Sequence, residues 1–171
     1  MIGPRINAGG RVGKCSHGAN LLLNKNPKDS FKLANELDQY NKERQMLEKD
    51  LLQKILNETK DYSNDPVLVL SGFNWHEGVI GIVAARLKEK FNKPVIIISM
   101  TGDIGKESAR SVIVFDIGSV IISATQENIL LKGGGHKMAG GFSIKRQNIE
   151  RLKDFIFKIL FSKNLKELMK I

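Results

Sequence analysis

Two short apolar runs, Val67–Leu70 and Pro94–Ile98, constrain this chain more than any other feature. Neither alternates polar with apolar residues, so each suits a strand buried on both faces, the pattern of parallel strands covered by helices. Between them Gly78–Phe91 carries helical spacing, and strand, helix and strand in that order make a βαβ unit. Ser108–Phe115 then reads as a third strand, Asp116–Gln126 as a helix and Phe142–Ile144 as a strand. Ile149, Leu152, Phe155, Ile156 and Ile159 mark a terminal helix. The expected fold class is α/β: residues 63–171 form a compact domain with a mixed sheet, a βαβ unit and a C-terminal helix, within ordinary domain size.

The first third of the chain has another character. Residues 1–13 hold four glycines, a proline and two arginines and read as a loop, and residues 17–23 read as a short helix. Asn26, Pro27 and Asp29 stand in the order of a helix start: cap, first-turn proline, first-turn acid. Leu33, Leu37, Tyr40, Leu47, Leu51 and Ile55 continue at helical spacing, while Lys32/Glu36, Asp38/Lys42 and Asp50/Lys54 pair charges on the other face. One helix over residues 26–62 would span roughly 50 Å, longer than a small domain needs, so a connector between two bodies is expected.

With 42% hydrophobic and 26% charged residues the chain is an ordinary globular one. It carries no apolar run of bilayer length and no signal-peptide order at Met1–Gly10, which points to the cytoplasm and away from a membrane. The single cysteine, Cys15, makes neither an internal disulfide nor a thiolate zinc cluster. A net charge of +9 favours polyanionic partners through counterion release, although a solvated basic surface would show the same number.

Three stretches could carry chemistry. Trp75–Gly81 lies between a strand and a helix, where free amides and the helix dipole favour anions; His76 and Glu77 could equally be plain cap residues. Thr101–Ser108 has the glycines and lysine of a phosphate loop without their spacing, and a strand rather than a helix follows. Lys106, Ser108 and Arg110 are spaced by two, so in a strand they share one face, which could hold a phosphate or merely face water. Gly133–Gly141 packs five glycines around His136 and Lys137, more conformational freedom than a turn requires. A loop whose backbone amides contact an anion is the reading this composition favours.

In order, GPRINAGGR (Gly3–Arg11), NKERQ (Asn41–Gln45), WHEGVIGIVAARL (Trp75–Leu87), KPVIIIS (Lys93–Ser99), GKESARS (Gly105–Ser111) and GGGHKMAGGFSI (Gly133–Ile144) closely resemble the RecJ family of single-stranded-DNA exonucleases, in the DHH phosphoesterase superfamily. The resemblance implies metal-assisted hydrolysis of phosphodiesters from the 5′ end of single strands, by a DHH domain facing a DHH-associated α/β domain. It implies that residues 1–25 close a DHH domain, 26–62 form the connector and 63–171 are the associated domain. The aspartate clusters and the DHH segment are absent, and His17, His76 and His136 lie in no such setting. The chain is therefore expected to be a C-terminal piece with no catalytic or metal-binding residue of its own; Mg or Mn would enter with the missing DHH domain.

Carried over by motif, Arg5, Asn7, Arg11, His76, Lys106, Ser108, Arg110, Gly133, Gly134, Gly135 and His136 would contact substrate. Single-stranded DNA is the implied partner, with RNA as a variant and a separately encoded DHH half as a second partner. Glu107 stands where the family favours glycine, and VIVFDIGSVI where it favours a form nearer IPGFDLYEAL. The alternatives are a phosphodiesterase for short oligonucleotides or cyclic dinucleotides, which share the glycine–histidine motif, and a gene remnant without function.

Overall fold

The computed structural model describes residues 2–58 and 65–162. The chain divides into two compact units, Met1–Ile55 and Leu56–Ile171.

In the first unit α1 (Gly3–Val12), α2 (Ser16–Leu23) and α3 (Pro27–Asn57) follow one another. The glycine-rich start is thus a helix, not the expected loop. Pro4 sits in the first turn, where its missing N–H costs nothing. Two of the glycines serve contact rather than turning: a Cβ on Gly9 would lie 2.6 Å from the Lys14 carbonyl and 3.3 Å from Leu37, and one on Gly13 would strike the Tyr40 ring. Gly18 of α2 makes the same close approach to the Ile6 carbonyl of α1, at 2.8 Å. α3 starts where its cap predicts, with Asn26 Oδ1 accepting from the Lys28 amide at 3.0 Å. It runs to Asn57; the expected residues 59–62 of the helix lie outside the described residues.

The second unit contains β1 (Leu68–Phe73), α4 (Glu77–Phe91), β2 (Val95–Thr101), β3 (Ile104–Arg110), α5 (Ile117–Gln126), β4 (Lys132–His136), β5 (Ala139–Lys145) and α6 (Ile149–Ser162). The sheet order is β1-β2-β3-β5-β4; β1 and β2 are parallel and the other neighbours antiparallel. This is the mixed sheet with a βαβ unit that the apolar runs predict.

Two segments differ from expectation. The third strand is shifted: β3 begins at Ile104, because Gly102, with φ +61°, allows a two-residue turn straight out of β2. It ends at Arg110, because the Ser111 amide donates to the Met138 carbonyl and the Phe115 amide closes a turn on Val112. The glycine stretch is no loop either. Its two halves are β4 and β5, a hairpin in which Gly134 pairs with Gly141 and Gly135 with Gly140.

Strand alternation sorts the sheet into two faces. Ile96, Ile98, Met100, Ala109, Phe142 and Ile144 share one core with Val120, Ile121 and Ala124 of α5 and Leu152, Ile156 and Leu160 of α6. The alternate residues of β2 and β3 face α4, whose Val79, Ile80, Val83, Ala84 and Leu87 are buried. Covered on both sides, β2 is buried from Val95 to Met100.

One residue violates this pattern. Glu107 is buried on the α5/α6 side of β3, and neither carboxylate oxygen has a well-formed hydrogen bond. Burial pushes its pKa well above the usual carboxylate range; the nearby Phe142 amide and the Arg110 charge offset this only in part. The folded state therefore holds a proton that the unfolded chain releases near pH 4–5, at about the usual glutamate pKa. This contribution to stability is fully present below that pH and falls away as pH rises towards the raised folded value. Glu107→Gln, which stays neutral, should match the wild type near pH 4 and exceed it in urea melts at pH 8. A stability difference that does not change with pH would contradict the assignment.

Candidate functional site

The α4 side of the sheet carries a row structure set by register. Arg110 of β3 pairs with Ala139 of β5, which pairs with His136 of β4. Lys106 likewise pairs with Ser143, and Ser143 with Lys132. Ser108 lies between Lys106 and Arg110, and the Gly141–Gly134 pair lies between the outer rows. Paired residues share a face, so two basic rows flank a middle row of Ser108 and two glycines. Rows are about 7 Å apart along the strand, and β3 and β4 roughly 10 Å apart across it.

α4 covers only part of this face. A Cβ on Gly81 would meet Ser108 Oγ at 2.8 Å and the Arg110 guanidinium at 3.0 Å, so glycine lets the helix close over these two side chains. Arg110 folds back along its own strand, donating to Ser108 Oγ at 3.0 Å and to the Ala109 carbonyl at 2.7 Å. Lys106 Nζ pairs with Glu77 in the first turn of α4 at 2.9 Å. His76 caps the same helix: its Nδ1 accepts from the Gly78 amide at 3.1 Å. The cap reading of His76 and Glu77 thus describes their contacts, and it places Glu77 against Lys106.

The glycines divide by face. A Cβ on Gly133 would meet Ile121 of α5 at 2.7 Å, and one on Gly140 would meet Ile121 at 2.3 Å. One on Gly135 would lie 2.6 Å from the Ala139 carbonyl. From the other partner, a Cβ on Gly118 of α5 would lie 2.9 Å from the His136 backbone. These glycines let α5 lie directly on the hairpin. Gly134 and Gly141 face away from it; a Cβ on Gly134 meets nothing within 4 Å, and one on Gly141 only the Glu107 carbonyl at 4.0 Å. Their missing side chains are not needed for packing. They leave a flat, open strip of backbone bordered by Lys132, His136, Ser108 and Arg110.

Of the residues expected at a site, His76, Lys106, Ser108, Arg110, Gly134 and His136 are brought to this side of the second unit. Gly133 and Gly135 belong to the same hairpin but turn towards α5. Arg5, Asn7 and Arg11 are on α1 in the first unit, where Arg5 pairs with Asp38 of α3 at 2.6 Å. Bonds from Lys42 and then Arg5 hold the Asp38 carboxyl below its usual range. Sequence reasoning missed Lys132, Ala139, Gly141 and Ser143 as members of the face. The alternation of Phe142, Ser143 and Ile144 was the available signal: the polar residue between two core residues must point the other way.

Among the described residues, no group of three or more His, Cys, Asp or Glu side chains could hold a metal ion. No described helix is long and apolar enough to cross a membrane.

The sequence model of the DHHA1 domain matches residues 64–161. The single-stranded-DNA-specific exonuclease RecJ of Haemophilus influenzae is 36% identical over 155 residues, covering 86% of this chain but 27% of the relative. The crystal structure of RecJ from Thermus thermophilus in complex with Mg2+ superposes with a TM-score of 0.81 at 34% identity, over 91% of this chain and 24% of that one. The chain thus spans about a quarter of the length of these relatives. A pGpG-specific phosphodiesterase, PggH from Vibrio, shares the fold at 14% identity, with a TM-score of 0.54 over 91% of this chain and 57% of that one. With the family match covering more than half of its residues, and the five-stranded mixed sheet in place, this chain belongs to the DHHA1 domain family.

Proposed function

We propose that the chain holds single-stranded nucleic acid, phosphates against the open face of β3, β5 and β4, as the substrate-binding part of a RecJ-like 5′→3′ exonuclease. One observation carries this reading: the glycines that packing does not require, Gly134 and Gly141, lie between the two basic rows. A strand of backbone can approach them as no side chain would permit. Arg110 and Lys106 offer charge-assisted donors and Ser108 a hydroxyl, the groups that position phosphate without reading sequence. The net charge of +9 adds attraction at longer range. The relatives bear the name single-stranded-DNA-specific exonuclease, which makes DNA the first ligand to test.

In this reading hydrolysis is assigned to a DHH part, which the relatives' greater length leaves room for. A DHH part, in the same polypeptide or a separate one, would contribute Mg or Mn, which activates water and stabilises phosphate charge. The role left to this chain is to bind and align the strand. Fluorescence anisotropy with a 5′-phosphorylated oligothymidylate tests that role. Binding that weakens steeply with salt is expected, and absent or salt-independent binding would sink it.

A further inference from the structure

Beside the Arg110–Ala139–His136 row the chain builds a rigid apolar knob that phosphate contact leaves unexplained. The Ser111 amide donates to the Met138 carbonyl at 2.9 Å, and the Ile117 amide to the Lys137 carbonyl at 3.3 Å. The segment between residues 111 and 117 is therefore fastened at both ends to the turn of the glycine hairpin. It is also closed internally. The Phe115 amide bonds the Val112 carbonyl at 3.1 Å, and the buried Ser111 hydroxyl donates to the Phe115 carbonyl at 2.6 Å. Phe115 itself is anchored in the core at 1% exposure.

This bracing holds large apolar side chains in solvent. Ile113 is 75% exposed, Val114 40% and Met138, on the adjoining turn, 40%. A looser loop could turn such side chains inward, but this one has its backbone bonds committed. The charges beside the knob are Lys137, on the hairpin, and Asp116. The Asp116 carboxylate is occupied as the cap of α5, accepting from the Ser119 amide and hydroxyl at 3.0 Å each. Apolar surface next to a cationic row matches the two halves of a nucleotide, base and phosphate.

We propose that Ile113, Val114 and Met138 form a base-contacting edge of the site, resting on the reading that phosphates lie along the Arg110–His136 row. A base reaching past that row lies against the knob, and because apolar contact ignores base identity, the edge adds affinity without sequence preference.

The test separates bases from phosphates. Wild type and the Ile113→Ser/Met138→Ser double variant are titrated with a 5′-phosphorylated oligothymidylate and with an abasic strand of equal length and charge. Both substitutions are at exposed positions, and matching thermal melts confirm folding. Wild type should prefer the base-bearing strand, and the variant should lose that preference through about a fivefold weaker grip on it, with the abasic strand bound as before. Unchanged affinity for the base-bearing strand, equal loss on both strands, or no wild-type preference would overturn the edge while leaving the phosphate reading standing. Wild type that binds neither strand would overturn both.

Discussion

Gly135→Val should destabilise the second unit, while Gly134→Val, one residue earlier, should leave it folded and abolish most of its binding. The contrast follows from alternation along β4. At Gly135 a side chain would start 2.6 Å from the Ala139 carbonyl and 2.7 Å from Gly140 Cα, and both obstacles are backbone, which no rotamer change relieves. The hairpin must open or lift from α5. Overpacking of this kind costs about 1–3 kcal/mol. In a domain of about 100 residues each kcal/mol lowers the melting temperature by roughly 4–8 °C. At Gly134 a Cβ meets open space, and the residue's φ is not in the left-handed region, so neither clash nor strain arises. Its melting temperature should stay within about 4 °C of wild type, the range of neutral surface changes. The valine would nevertheless stand up from the strip between the basic rows. If ligand backbone rests there, the intrusion costs about 1–3 kcal/mol, roughly five- to 150-fold in affinity. Gly134→Val with wild-type affinity would mean that the open strip is not a contact surface.

Arg110→Ala should weaken oligonucleotide binding by about ten- to a hundredfold, the worth of a charge-assisted bond to phosphate. The guanidinium is preorganised by Ser108 Oγ and the Ala109 carbonyl under the roof that Gly81 leaves, so little rotamer freedom remains to be lost on binding. Its loss should also lower the slope of log K against log salt by about one. Arg110→Lys keeps the charge but not the fork, so recovery should be partial. Lys158→Ala on α6 removes the same charge from an exposed position elsewhere in the unit and should change binding little. Equal losses from Arg110→Ala and Lys158→Ala would reduce the site to diffuse electrostatics.

How far the fold could be read from sequence depended on whether the cause was local. Val95–Ile98, the Asn26 cap and the helix after Trp75 were legible because apolar runs, capping and helical period act within a few residues. Asp116 as the start of α5 was legible for the same reason. The glycine segments were not. At Gly9, Gly13 and Gly18 the residue is chosen for the absence of a Cβ against another helix or ring, yet within the sequence it looks like a turn former. The same holds at Gly133, Gly135 and Gly140, where the cause is the hairpin's own backbone and the close approach of α5. Glycine reports that something is near without saying what.

The site shows the same division. Lys106, Ser108 and Arg110 were placed together by a spacing of two, a property of any strand. Lys132 and Ser143 joined them only through the register of β5 with β3, which is long-range, and with β4, which the turn at Lys137–Met138 fixes. Glu107 was legible as an unusual residue beside the site. That it points into the core, and not towards the phosphate face, needed the parity of β3.

The central claim is that the open face of β3, β5 and β4 binds nucleic-acid phosphates. The most direct measurement is the salt dependence of binding to a 5′-phosphorylated single strand, wild type against Gly134→Val and Arg110→Ala. The account predicts log K falling linearly with log salt for wild type, a lower slope for Arg110→Ala, and weak binding at every salt concentration for folded Gly134→Val. Superimposable lines for all three proteins, or no binding by wild type at low salt, would contradict it.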